Sequence, residues 1–234
     1  MIGPHTHPSE GRDTMSDDEY RDSDDDDTPG PAPLTGEAHA DLDVEETLSS
    51  ASVVVASNRV RNYTAESTPE WLETVVRTDP GRNVARNRGV DEASGEWIIV
   101  ADDDITFPTT MTAMLVEGMS EHHVVGLEDF WPMDWLLTRY MVFHRSVWEA
   151  VGGFDEDREH GGDTDFCIRC EKAGARVCKL PRDVVPHHDV DTTLTRSGHL
   201  EWLYYLTRHH PVTMAPKLLQ FAFQKAGLTR GQYG

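Results

Sequence analysis

The chain has 234 residues, with 42 Asp or Glu against 21 Lys or Arg and a formal net charge of −21. That length gives one domain with a packed core, and so large an acid excess is repelled by phosphate backbones, which disfavours non-specific nucleic-acid binding. No apolar run approaches the ~18 residues of a membrane span, and no charged start, apolar stretch and cleavage site reads as a signal peptide.

Residues 1–50 carry fifteen acidic and two basic residues, including the block Asp24 to Asp27, and almost no aromatics. Such a segment buries too little apolar area to offset its ordering entropy and is expected to be a disordered acidic tail. Order is expected from Ser52-Val53-Val54-Val55-Ala56, a β-branched run that reads as a buried strand ended by Ser57-Asn58. Residues 59–70 read as loop. Leu72 to Arg77 suits a short helix or a strand, and the β-branched run Thr74-Val75-Val76 favours strand. After the turn Asp79-Pro80-Gly81, the spacing of Val84, Ala85, Val90 and Ala93 predicts a helix over 83–93. A second buried strand, 96–101, runs straight into Asp102-Asp103-Asp104. A helix over 109–119 and a strand near 123–127 follow, then an aromatic segment with Phe130, Trp131 and Trp135. Next come a strand at 140–143, a short helix at 146–151, the turn Gly152-Gly153-Phe154-Asp155, a helix over 163–173 and a strand over 175–180. Two helices, 198–209 and 212–226, end the chain. Strands alternating with helices predict an α/β fold with a mostly parallel sheet flanked by helices.

Four features carry chemistry. Three aspartates directly after a buried strand are either a solvated strand end or a ligand site, because the carboxyl edge of a parallel strand is where α/β sheets bind ligands. Adjacent carboxylates repel unless a cation or donors hold them, and such oxygen sites suit Mg²⁺ or Mn²⁺. Residues 81–89, Gly-Arg-Asn-Val-Ala-Arg-Asn-Arg-Gly, put three arginines at the start of a helix, an arrangement that suits an anion and suits surface ion pairing equally. Gly161-Gly162-Asp163-Thr164-Asp165 opens a helix with two carboxylates, one of them able to cap it. Pro186-His187-His188 offers imidazoles for a metal, although a His pair is more often structural.

Together and in this order, these features resemble the family 2 glycosyltransferases with the GT-A fold. The motifs are Ala85-Arg86-Asn87-Arg88-Gly89, Asp102-Asp103-Asp104, Gly152 to Glu156, Gly161 to Arg169, and His187-His188, within residues 52–190. The resemblance implies a tail over 1–50, a GT-A-like (Rossmann-like) transferase domain over 51–195 and a helical extension over 196–234. It implies that Ser57, Asn58, Arg59, Arg86, Asp102 and Asp103 bind a nucleotide-sugar donor. Asp104, with His187 or His188, would hold Mg²⁺ or Mn²⁺. Asp163 would be the general base of an inverting transfer, with Asp165 as fallback, and Trp131 and Trp135 would shape the site of a glycan or lipid-linked acceptor. Gly162 stands where the family has an acid. Asn58 and Asp102 are only 44 positions apart, and the family's helix and strand with a base-contacting acid are not evident there, so a shortened nucleotide pocket is expected.

Three cysteines make no disulfide framework and fit a reducing, cytoplasmic compartment; Cys167 and Cys170, at i and i+3 on a helix, suit core packing better than zinc. Four Lys beside seventeen Arg, with the acid excess, resemble the proteins of salt-loving archaea. The last helix is expected to pack on the sheet or lie on the inner face of a membrane. Two other readings are a nucleotide-sugar-binding partner protein without catalysis and a different metal-dependent phosphate enzyme.

Overall fold

The computed structural model describes residues 42–129, 133–158, 161–188 and 196–226, with residues 196–199, 224 and 225 described by backbone alone. Six strands form one sheet, β1 (Ala51–Ala56), β2 (Glu73–Arg77), β3 (Trp97–Ala101), β4 (His123–Glu128), β5 (Leu136–His144) and β6 (Arg176–Leu180). Their order is β2-β1-β3-β5-β4-β6. β1 runs parallel to β2 and β3, and β4 parallel to β6, while β5 is antiparallel to both of its neighbours. This mixed, mostly parallel sheet with helices against it is the GT-A-like arrangement expected from the sequence. In β1 the residues Val53, Val54 and Val55 are wholly buried, as a central strand covered on both faces requires. One face packs Val54, Ile98, Val100 and Phe143 against α6 (Gly162–Lys172), and the other packs Val53, Val55, Ile99 and Val142 against α4 (Thr109–Gly118).

Helix α3 (Arg82–Glu92) lies on β1. Gly89 makes this close approach possible, because a Cβ there would sit 2.4 Å from Val54 Cγ1. Its C-terminal carbonyls are gathered by one side chain. Arg145 donates to the carbonyls of Val90 (2.8 Å), Ala93 (2.6 Å) and Gly95 (3.0 Å). A guanidinium satisfies the orphan carbonyls and opposes the negative end of the helix dipole. Arg145→Ala is therefore expected to cost about 2 kcal/mol and to lower the thermal midpoint by about 4–8 °C in calorimetry.

Three departures from the sequence reading matter. Residues 42–50 belong to the folded unit: Asp43 accepts from the Glu46 amide to start α1 (Val44–Thr47), and Leu48 is 1% exposed in the core. The expected tail over residues 1–41 lies outside the described residues. The segment 59–70 contains helix α2 (Tyr63–Ser67), started by Asn62 accepting from the Ala65 amide. One short helix and the expected strand β2 thus lie between Asn58 and Asp102. β5 also extends further than 140–143, since Leu136 and Thr138 are buried too.

The chain closes with α7 (Arg196–His209) and α8 (Pro211–Lys225). Tyr205, Leu206 and Met214 join the core around Phe166 and Ile168, so the extension packs on the domain. Val212, Leu219 and Phe223 on α8 remain exposed.

Candidate functional site

The aspartate turn after β3 is gripped from two sides. From α2, the Tyr63 amide donates to the Asp103 carbonyl (2.9 Å) and Thr64 Oγ1 to the Asp102 carbonyl (2.6 Å). From the far end of the domain, the His188 amide donates to the Asp104 carbonyl (2.7 Å), and Ile105 bridges His187. The His188 ring stacks on Tyr63 at 4.2 Å and its Nε2 lies 2.9 Å from Thr106 Oγ1. The turn thereby brings together residues from β1, α2, β3 and the segment after β6. α2 was missed because it is five residues long, yet Asn62, a good N-cap three residues before Ala65, was its available signal.

The three carboxylates have different surroundings. Asp103 is 8% exposed; it accepts from Ser57 Oγ, and Arg59 Nε lies 3.6 Å from its other oxygen. Asp102 receives Arg86 Nη2 at 3.0 Å. Asp104 Oδ1 is buried without a hydrogen-bond partner. Burial, and next the negative charge of Asp102, raise the Asp104 carboxyl above the usual aspartate range, while His187 and Arg59 oppose the shift. Asn58, the residue after Ser57, is exposed.

Arg86 is the hub. It is 3% exposed, and besides Asp102 it donates to Asn83 Oδ1 (3.2 Å). Burial lowers its pKa, and the negative charges of Asp102 and Asp163 pull it back up. Asp163, in the first turn of α6, is raised chiefly by burial and opposed by Arg86 and by the Thr164 amide that it accepts (2.9 Å). Asp102 acts on Asp163 as a like charge. One guanidinium thus couples the aspartate turn to the candidate base.

Two asparagines on the same face of α3 build the loop that leads to Asp163. Asn87 donates to the Phe154 carbonyl (2.8 Å) and accepts from the Phe154 amide (2.9 Å). Asn83 donates to the carbonyls of Asp155 (2.8 Å) and Arg158 (2.9 Å). A side chain at 162 would need Asn83 to give way, because a Cβ there would lie 2.2 Å from Asn83 Nδ2. The i, i+4 spacing of the asparagines was visible in sequence; their partner loop was not.

Asp165 is placed differently from Asp163. It is 3% exposed, with Oδ2 accepting from Arg169 Nε (2.8 Å) and Oδ1 within 2.7 Å of His210 Nε2. Both oxygens are engaged away from the aspartate turn, so the carboxylate is not available as a fallback base. Trp135 is 5% exposed, its Nε1–H donates to Glu171 (3.1 Å), and Lys217 Nζ lies 5.3 Å from its ring centroid. Its face is not open to a sugar ring, which corrects the acceptor role expected for it. Trp131 lies outside the described residues. Cys167 and Cys170 are fully buried, and burial pushes the Cys170 thiol up to about 12 and Cys167 well above its usual value. Burial of this kind favours the protonated thiol, and both side chains pack in the core.

Among the described residues, no group of three or more His, Cys, Asp or Glu stands ready to hold a metal ion. Two donors do fit a hard divalent ion: the unpartnered Asp104 Oδ1, and His187 close enough to act on its charge. Such ions are commonly held by one or two protein ligands, with substrate phosphate and water completing the shell. The hollow lined by Glu121, His122, Ser146 and Ala150 lies at the opposite edge of the sheet, where β4 begins, away from this cluster.

No curated protein matches the chain. Among solved structures, a mannosyltransferase of Pyrobaculum calidifontis in complex with GDP-mannose and Mn²⁺ is 17% identical, with a TM-score of 0.46 over 68% of this chain and 61% of that one. The chain therefore spans about three-fifths of that protein's length. The catalytic domain of a Drosophila β1,4-galactosyltransferase 7, in complex with xylobiose, is 16% identical with a TM-score of 0.44, covering 59% of this chain and 71% of that one. The family model described as Glycosyl transferase family 2 matches residues 51–177, more than half the chain and the whole stretch from β1 into β6 that carries the aspartate turn, Arg86 and Asp163. On that match the chain belongs to the family 2 glycosyltransferases.

Proposed function

We propose that the chain is an inverting glycosyltransferase that moves a sugar from a nucleotide-sugar donor to a hydroxyl of a glycan or lipid-linked acceptor. The observation that carries this reading is Arg86, a buried guanidinium bonded to Asp102 and stabilised by the negative charge of Asp163. Donor binding falls to Ser57, Asn58, Arg59, Asp102 and Asp103 after the ends of β1 and β3, and to Arg86 on α3. Asp163 takes the proton of the acceptor hydroxyl; that oxygen forms the new bond to the anomeric carbon as the bond to the diphosphate breaks on the opposite face, and the nucleoside diphosphate leaves. Asp104 and His187 would hold Mg²⁺ or Mn²⁺, which when bound neutralises charge on the leaving diphosphate. His188 serves the backbone of the turn instead. Arg86 offsets part of the cost of burying the charge of this base.

Among the described residues no helix is long and apolar enough to cross a membrane. The exposed Val212, Leu219 and Phe223 of α8 support peripheral contact with a bilayer bearing a lipid-linked acceptor. The free cysteines support a cytoplasmic site of action. The net charge of −21 supports a protein steadied by salt, since screening relieves self-repulsion.

A thermal-shift panel of UDP-, GDP- and dTDP-sugars with Mn²⁺ or Mg²⁺ in molar KCl tests the reading, with product analysis on each donor that stabilises the protein. Stabilisation with release of nucleoside diphosphate is expected. Release of pyrophosphate or monophosphate would make it a nucleotidyltransferase or hydrolase. Stabilisation without any product would make it a binding protein.

A further inference from the structure

The C-terminal extension reaches α6, the helix that carries the candidate base, through a histidine outside the family match. His210 joins α7 to α8 and is 5% exposed. Its ring is held on both sides by α6: Lys172 Nζ lies 2.7 Å from Nδ1, and Nε2 lies 2.7 Å from Asp165 Oδ1. An ammonium only donates, so Nδ1 accepts and Nε2 carries the proton given to Asp165. Arg169 fills the other oxygen of Asp165 and also donates to the Val151 carbonyl (2.8 Å) at the end of α5 (Arg145–Val151). Asp165 is thus a buried carboxylate anchored to the body of the domain by Arg169 and to the extension by His210. Two further contacts join the same elements. Tyr205 on α7 donates to Asp155, and Trp202 on α7 packs so closely on Gly161 that a Cβ there would overlap its ring.

We propose that His210 is a positioning residue for sugar transfer: through Asp165 it fixes the roll of α6 about its own axis, and so the placement of Asp163 opposite Arg86 and Asp102. This rests on the reading of Asp163 as the base. Residues 163 and 165 lie about 200° apart around the helix, so the face that His210 holds is opposite the face that carries Asp163. With a carboxylate carried about 6 Å from the axis, a roll of about 10° displaces it by about 1 Å. Displacements of that size cost about 100-fold in rate when a reacting group is misplaced. The arrangement also accounts for the second aspartate of the motif, which is buried and fully bonded yet sits two residues from the base.

The test compares His210→Ala, His210→Gln and Asp163→Asn in the full chain. Turnover is read per folded molecule as nucleoside diphosphate released from GDP-mannose and UDP-galactose with Mn²⁺, well below each variant's unfolding midpoint. His210→Ala is expected to lose about 10- to 100-fold in kcat with donor KM within twofold, and His210→Gln, which keeps an N–H donor, to recover most of it. A crystal structure of His210→Ala is expected to show Asp163 moved by about 1 Å relative to Arg86, a readout that needs no turnover. A lowered midpoint with unchanged kcat, or an unmoved Asp163, overturns the proposal while leaving the base reading intact if Asp163→Asn is inactive. Full turnover by Asp163→Asn removes the base reading and this inference with it.

Discussion

Replacing Asp163 by Asn is expected to cut transfer by about 10²- to 10⁴-fold while raising the thermal midpoint at neutral pH. Both effects come from one cause. Burial, with Asp102 adding a like charge, raises this carboxyl above the ordinary aspartate range, and Arg86 and the Thr164 amide only partly oppose it. An acid whose pKa is higher in the folded chain than in the unfolded one binds its proton more tightly when folded. Stability then falls as pH rises from the unfolded value through the folded one. Asn keeps the shape and removes that penalty along with the base. The same shift predicts that the acid limb of kcat/KM lies above the ordinary value of about 3.9, because only the ionised form accepts a proton. Rate profiles across pH 4–8 and scanning calorimetry on both proteins check this. Parental turnover in the Asn variant would remove Asp163 from the chemistry.

Asp104→Asn is expected to abolish metal-dependent transfer, leave the fold intact, and match the parent protein treated with EDTA. Asp104 is the only one of the three carboxylates with a buried oxygen that no neighbour satisfies, whereas Asp102 and Asp103 are held by Arg86 and Ser57. Its raised pKa again marks charge that is poorly compensated by the protein alone. A divalent ion would supply several kcal/mol at the leaving diphosphate, and neutralising its ligand forfeits this. The backbone hold on the turn, from Tyr63, Thr64 and His188, does not involve the carboxylate and survives the change. The midpoint should stay level or rise, by the reasoning given for Asp163. Retained transfer in both the variant and the EDTA-treated parent would reject the metal mechanism.

Much of this was legible in the sequence because it is local. The β-branched runs at 53–55 and 98–100 mark buried strands, and the helical period marks α3. The aspartates, the arginine helix and the Gly-Gly-Asp start of α6 have fixed spacings that do not depend on the rest of the chain. What was not legible depends on partners far away in sequence. The spent state of Asp165 is decided by His210, 45 residues on, and the burial of Trp135 by Glu171 and Lys217. Residues 42–50 were misjudged because the composition of a fifty-residue window hid two apolar anchors, Val44 and Leu48, that pack on the sheet.

The close approach of Gly162 to Asn83 makes the loop before the candidate base depend on a residue of α3. Any side chain at 162 displaces the Asn83 amide, and with it the hydrogen bonds to the carbonyls of Asp155 and Arg158. A larger residue at 162 is best accommodated by a shorter one at 83, so the two positions share one volume.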